Sequence, residues 1–125
     1  MKKHFIIPLV IYPFDVFVSI GQGDKELRKL IRGNGSKEDM RLCFDLPETT
    51  LGRCVMMPSN CTLIRLFLDR CDKGVLMGII AHEVFHAVTL IMDRIGVTFG
   101  IGVSDEAYAY LIGYLVEKIF CELEI

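Results

Sequence analysis

Two histidines four residues apart, with a glutamate directly after the first, are the residues of this chain best placed to do chemistry: His82-Glu83-Val84-Phe85-His86. On a helix, positions i and i+4 share a face, so the two imidazoles are spaced to grip one zinc ion. Glu83 then stands on the flank, beside an open coordination position, where a carboxylate can serve as general base. The run from Val75 to Met92 around this motif is apolar nearly all round, which predicts a helix in the middle of the protein or in a bilayer. Ionised groups buried without partners are costly in either place. A shared cation accounts for His82, Glu83 and His86 together.

A catalytic zinc takes three protein ligands and keeps one position for water. The longer pattern H-E-x-x-H-x-x-G-x-x-H is excluded, because it needs glycine at Thr89 and histidine at Met92. His4 lies before an apolar strand and is expected to be structural or at the surface. The acids Asp105 and Glu106, about twenty residues past His86, open a second predicted helix that can turn back onto the first. Both are candidates for the third ligand. Glu106 is preferred for its reach and because Ala109, Tyr110 and Gly113 fall on its side of the helix. With Gly78 and Ala81 near His82, these mostly small residues would let the two helix axes approach closely.

The elements that must position these groups follow from local signals. Phe5 to Ile20 is rich in β-branched and aromatic residues and interrupted by Pro8 and Pro13, which predicts one or two strands. Gly21 to Asp24 reads as a turn and Lys25 to Arg32 as a short amphipathic helix, ended by the connector Gly33-Asn34-Gly35, which lacks the order of a phosphate loop. Arg41 to Leu46 reads as a short strand. Gly52 to Met57 and Thr62 to Asp69 form a predicted hairpin about Pro58-Ser59-Asn60. Asp72 caps a motif helix that runs to about Arg94 before Gly96, and Ser104 caps a last helix from Asp105 to about Leu123. The expected fold is α+β in one domain spanning 1–125. A small, mostly antiparallel sheet packs on the motif helix and the C-terminal helix.

Composition narrows the partners. The net charge is −2 and the basic residues between Lys25 and Arg41 are interleaved with Glu26, Glu38 and Asp39, so no phosphate-binding stripe forms and nucleic acid is not an expected partner. The apolar share is 52% and the mean hydropathy +0.43, which calls for a dense core or a surface that meets a partner or membrane. Five cysteines without a C-x-x-C pair indicate neither a disulfide framework nor a zinc ribbon, and a reduced, cytoplasmic setting is expected. Met1-Lys2-Lys3-His4 and the apolar stretch after it imitate a secretory signal, but Pro8, Pro13 and Asp15 interrupt it and no A-x-A pattern follows.

The motif His82-Glu83-x-x-His86, the connector, and Glu106 followed by Ala109 together resemble the gluzincin branch of the zincin metallopeptidases. The likeness extends from about Lys73 to Phe120, and the hairpin leading into the motif helix is also similar to the zincin order. It implies a minimal zincin-like domain with one zinc ion, His82, His86 and Glu106 as ligands, and Glu83 as general base. Where many gluzincins carry a supporting acid four residues after the glutamate, this chain has Tyr110. Its brevity and the segment DEAYAYLIGYL also resemble small zincin-like proteins encoded by bacteriophages, which implies host cytoplasm or the virion as further settings.

The reaction implied is hydrolysis of a protein or peptide amide by metal-activated water. Glu83 would take the water proton and pass it to the leaving amine, and Tyr108, Tyr110 and Tyr114 are available to an oxyanion. If Thr62 to Asp69 is the exposed sheet edge, as the resemblance suggests, an extended peptide binds by strand addition. Two other functions compete. In one, zinc staples the two helices of a non-catalytic interaction protein. In the other, the motif helix lies in a membrane, which the strands and polar turns of the N-terminal half disfavour. Without a second domain, targeting is expected to come from a partner protein or from self-association.

Overall fold

The computed structural model describes residues 1–31 and 41–124. The β-branched and aromatic residues near the start make two strands, β1 (Lys3–Pro8) and β2 (Asp15–Ile20), paired antiparallel from Lys3↔Ile20 to Pro8↔Asp15. Proline explains the break between them. Pro8 is the last residue of β1 and Pro13 lies in the connection, so neither removes an N–H from the middle of a ladder.

Helix α1 (Asp24–Leu30) follows with Asp24 and Glu26 in its first turn, where the helix dipole favours acids. The connector Gly33-Asn34-Gly35 lies outside the described residues. Arg41–Cys43 is a single 3-10 turn and not the expected strand. Asp45 takes a left-handed φ of 54° and Pro47 follows, so an extended run to Leu46 cannot form.

Strands β3 (Gly52–Met57) and β4 (Cys61–Leu66) make the expected hairpin, closed by Ser59 and Asn60 at φ of 66° and 54°. The strand order is β1-β2-β4-β3. β2 and β4 run parallel, and the other two pairs are antiparallel. β4 therefore lies inside the sheet and β3 is its edge. This corrects the expectation that the strand after the turn is exposed, and the cause is long-range: β4 returns beside β2 and displaces β3 outward. β4 also ends early, because Leu68–Arg70 coils into a 3-10 turn.

Two long helices, α2 (Lys73–Ile95) and α3 (Asp105–Leu123), pack against one face of the sheet and complete an α+β fold. Val16, Val18, Ile64 and Leu66 share one buried cluster with Ile80, Val84 and Ile91 of α2 and Leu111, Leu115 and Ile119 of α3. On the other face, Phe17, Val55 and Leu63 meet Leu27, Ile31 and Cys43. Helix α2 ends where Gly96 adopts a φ of 82° and its N–H bonds the Asp93 and Met92 carbonyls. It is not buried all round. Ile80, Glu83, Val84, Ala87, Val88, Ile91 and Met92 are inside, but Val75, Met77, Ala81, His82, Phe85 and His86 are exposed. One sheet face and one partner helix cover only one side of it. By length and composition, α2 is also the one helix among the described residues apolar enough to cross a membrane.

Candidate metal centre

His82 and His86 stand one turn apart on the open side of α2. Their Nε2 atoms are 3.1 Å apart and the rings meet edge-on, with centroids at 4.8 Å. Two imidazole nitrogens at about 2.0–2.1 Å from a tetrahedral zinc ion would be separated by about 3.3 Å, so the pair is close to the spacing that such an ion needs. The same approach also lets one ring donate an N–H to the other.

Glu83 lies on the flank that meets the sheet and is 4% exposed. One ligand atom from each of His82, Glu83 and His86 lies within 4.8 Å of the others. Burial raises the pKa of the Glu83 carboxyl, and the nearby charges of His82, His86 and Arg53 offset this only in part. Its Oε2 is buried and, among the described residues, has no hydrogen-bond partner. A buried carboxylate oxygen with an idle lone pair beside two converging imidazoles fits a bound cation and its water.

The sheet comes to this carboxylate through Gly52. A Cβ there would stand 2.7 Å from Glu83 Cγ and 3.3 Å from Oε2, so the edge of β3 can approach only because residue 52 has no side chain. Gly52, Arg53 and Cys54 line a cavity of about 370 Å³ with the three motif residues, Thr89 and Leu90. Burial first, and the charge of Glu83 second, push the Cys54 thiol far up, so it stays protonated. The part β3 plays was not visible in the motif. A glycine opening the first strand of the hairpin that precedes the motif helix was the available signal.

Comparison with family models, curated proteins and solved structures finds no match. The functional reading therefore stands on the chain's own residues.

The structure gathers His82, Glu83 and His86 and does not gather Glu106 with them. Glu106 is exposed at the start of α3, on the side of Tyr110, which is 77% exposed. The expected close helix approach through small residues is also absent. Ideal Cβ atoms at Gly78 and Gly113 would meet nothing within 4 Å, and Ala81 and Ala109 are exposed. The apolar face of α3 decides this. Tyr108, Leu111, Leu115 and Ile119 must face the core, and that rotation turns residues 106, 110 and 113 outward. Asp105 is nearer the motif, lining with Phe85 and Thr89 an apolar cavity of about 390 Å³. Its Oδ1 accepts the Gly102 N–H at 2.9 Å.

His4 stacks on Phe17 with ring centroids at 5.9 Å, as a structural histidine would. Tyr108 donates its hydroxyl to the Val97 carbonyl at 2.6 Å and Tyr114 to the Pro8 carbonyl at 3.2 Å. No tyrosine lines the histidine cavity, so neither ligand support by Tyr110 nor an oxyanion role for a tyrosine forms in this arrangement.

Proposed function

We propose that this chain is a zinc-dependent peptidase in which His82 and His86 hold the metal and Glu83 is the general base. The observation that carries this reading is the partnerless Oε2 of buried Glu83 beside two imidazole nitrogens 3.1 Å apart. Zinc, when bound, supplies a Lewis acid and makes water acidic enough to lose a proton near neutral pH. Glu83 is suited to take that proton, since burial raises its carboxyl above the ordinary carboxylate range and makes it the stronger base, and to hand it to the leaving nitrogen. Glu106 is the carboxylate proposed to complete the ligand set. α3 turns it outward, but it enters no hydrogen bond or ion pair with the described residues, whereas Asp105 is engaged with Gly102.

An extended substrate is the natural occupant of the groove. Edge strand β3 borders the cavity, and among the described residues no strand pairs with its outer N–H and C=O groups, so a peptide can add to the sheet with its backbone beside the histidines. The competing function, a zinc staple between helices, is supported less well. α2 and α3 already meet through buried apolar side chains, so they need no metal to hold them together.

The test is Glu83→Gln, measured as zinc content and as cleavage of a peptide pool followed by mass spectrometry. Retained zinc with cleavage lowered by about a hundredfold or more is the expected result. Undiminished cleavage would remove Glu83 from the mechanism.

A further inference from the structure

The face of α2 that carries the histidines has two flanks. On one, Glu83 and the edge of β3 close the histidine cavity. On the other, Phe85 and Thr89 continue the surface round the helix toward α3, where they line the hollow of about 390 Å³ with Phe99, Tyr108, Ala109 and Ile112, and with Asp105. Thr89 borders both spaces, and the Phe85 ring lies tilted against that of His86, with centroids 6.2 Å apart. The hollow therefore adjoins the metal centre.

Its polar residues are each turned to the protein's own backbone. Thr89 donates its hydroxyl to the His86 carbonyl at 2.9 Å, Tyr108 donates to the Val97 carbonyl at 2.6 Å, and Asp105 Oδ1 accepts the Gly102 N–H at 2.9 Å. The surface left to a guest is almost wholly apolar. Phe99 stands edge-on to Tyr108, with ring centroids 5.2 Å apart, which steadies one wall. Phe85 and Phe99 are 53% and 56% exposed, so two aromatic rings keep apolar area in water that a guest would cover. The volume falls in the range of about 300–1,000 Å³ that pockets use for whole small ligands, and it admits one aromatic or branched aliphatic side chain.

We propose that this hollow receives the side chain of a substrate residue adjoining the scissile amide and selects a large apolar one. This rests on the peptidase reading, and it narrows the substrate class from peptides in general to peptides with a bulky apolar residue at the cut. A backbone held along β3 beside the histidines has the hollow on its other flank, where that side chain enters. The charge of Asp105 in the wall stands against an acidic side chain. Phe85, Phe99 and Ile112 set this specificity and take no part in the proton transfers.

The test is digestion of a peptide pool by the zinc-loaded protein, with the cut sites read by mass spectrometry. Paired peptides with Phe, Leu, Ala or Asp at the selected position then give kcat/KM. Phe or Leu should exceed Ala by about tenfold or more, as an apolar pocket provides, and Asp should fall below Ala. Calorimetric binding of the same peptides to zinc-loaded Glu83→Gln protein should follow the same order. Ala109→Phe fills the hollow and should reverse the ratio of Phe to Ala, and Phe99→Ala, a change at a half-exposed residue, should lower it several-fold. Failure to cut any peptide would overturn the peptidase reading and the proposal with it. Cutting without regard to the adjoining side chain, equal affinities in the binding series, or a ratio unmoved by both variants would overturn the proposal alone.

Discussion

At the scale of single residues, the centre is held by contacts that are close and few. Gly52 is the most sensitive. Gly52→Ala sets a methyl group 2.7 Å from Glu83 Cγ, and because Glu83 is packed beneath the strand, the clash should cost about 1–3 kcal/mol and move the carboxylate. The expected outcome is a lowered thermal midpoint with zinc content retained and hydrolysis reduced; unchanged activity would show that the carboxylate has room to yield. The two acids of α3 separate by another experiment. Glu106→Ala should weaken zinc binding by about tenfold or more, as loss of a ligand does, whereas Asp105→Ala should keep the metal and loosen the Gly102 turn that its Oδ1 holds. Elemental analysis of both variants, after dialysis against a graded chelator, decides the assignment.

At the scale of elements, the face of the sheet away from the site is organised by Arg65, 3% exposed and bonded to Asp24 at 2.7 Å. This pair ties the start of α1 to β4, and Asp24 also accepts the Asp45 N–H at 3.0 Å, which fastens the segment before β3. Burial alone would raise the Asp24 pKa, but the Asp45 and Arg65 hydrogen bonds outweigh it and hold the carboxyl below its ordinary 3.8. A lowered pKa in the folded state contributes stability that is present above the unfolded value and is lost as pH falls through the folded one. Asp24→Asn should therefore lower the thermal midpoint at neutral pH and flatten its decline below about pH 4. Parallel melting curves of the two proteins between neutral and acid pH check this. The hairpin, both long helices and the Gly96 stop were legible beforehand, because periodicity and a left-handed glycine act locally, whereas Asp72 and Ser104 hold the N-cap positions without a side-chain capping bond. The expected strand at Arg41 to Leu46 failed because a left-handed Asp45 and Pro47 interrupt it, and a run of six residues carries too little periodicity to reveal that.

At the scale of the whole molecule, the sheet divides two apolar layers, and its inner strands carry the load. β2 and β4 are paired on both sides and buried along most of their length, whereas β1 and β3 each leave one edge unpaired among the described residues. Hydrogen exchange should find the slowest amides in β2 and β4 and much faster exchange at the outward amides of β3. A peptide added to zinc-loaded Glu83→Gln protein should protect those β3 amides selectively. Protection at β1 instead would place the binding edge on the wrong side of the sheet for the histidines.

The sequence by itself determined the chemistry on α2. Four-residue spacing on a helix brings His82 and His86 together whatever surrounds them, and Glu83 follows from its place between them. It also determined the α+β class, since strand and helix periods are written locally. Only the tertiary structure decided what faces those residues. Strand order made β3 the edge beside the site, bringing Gly52 against Glu83, and the core-facing side of α3 turned Glu106 and Gly113 outward. Those outcomes depend on pairings between segments far apart in the chain, which no local pattern encodes.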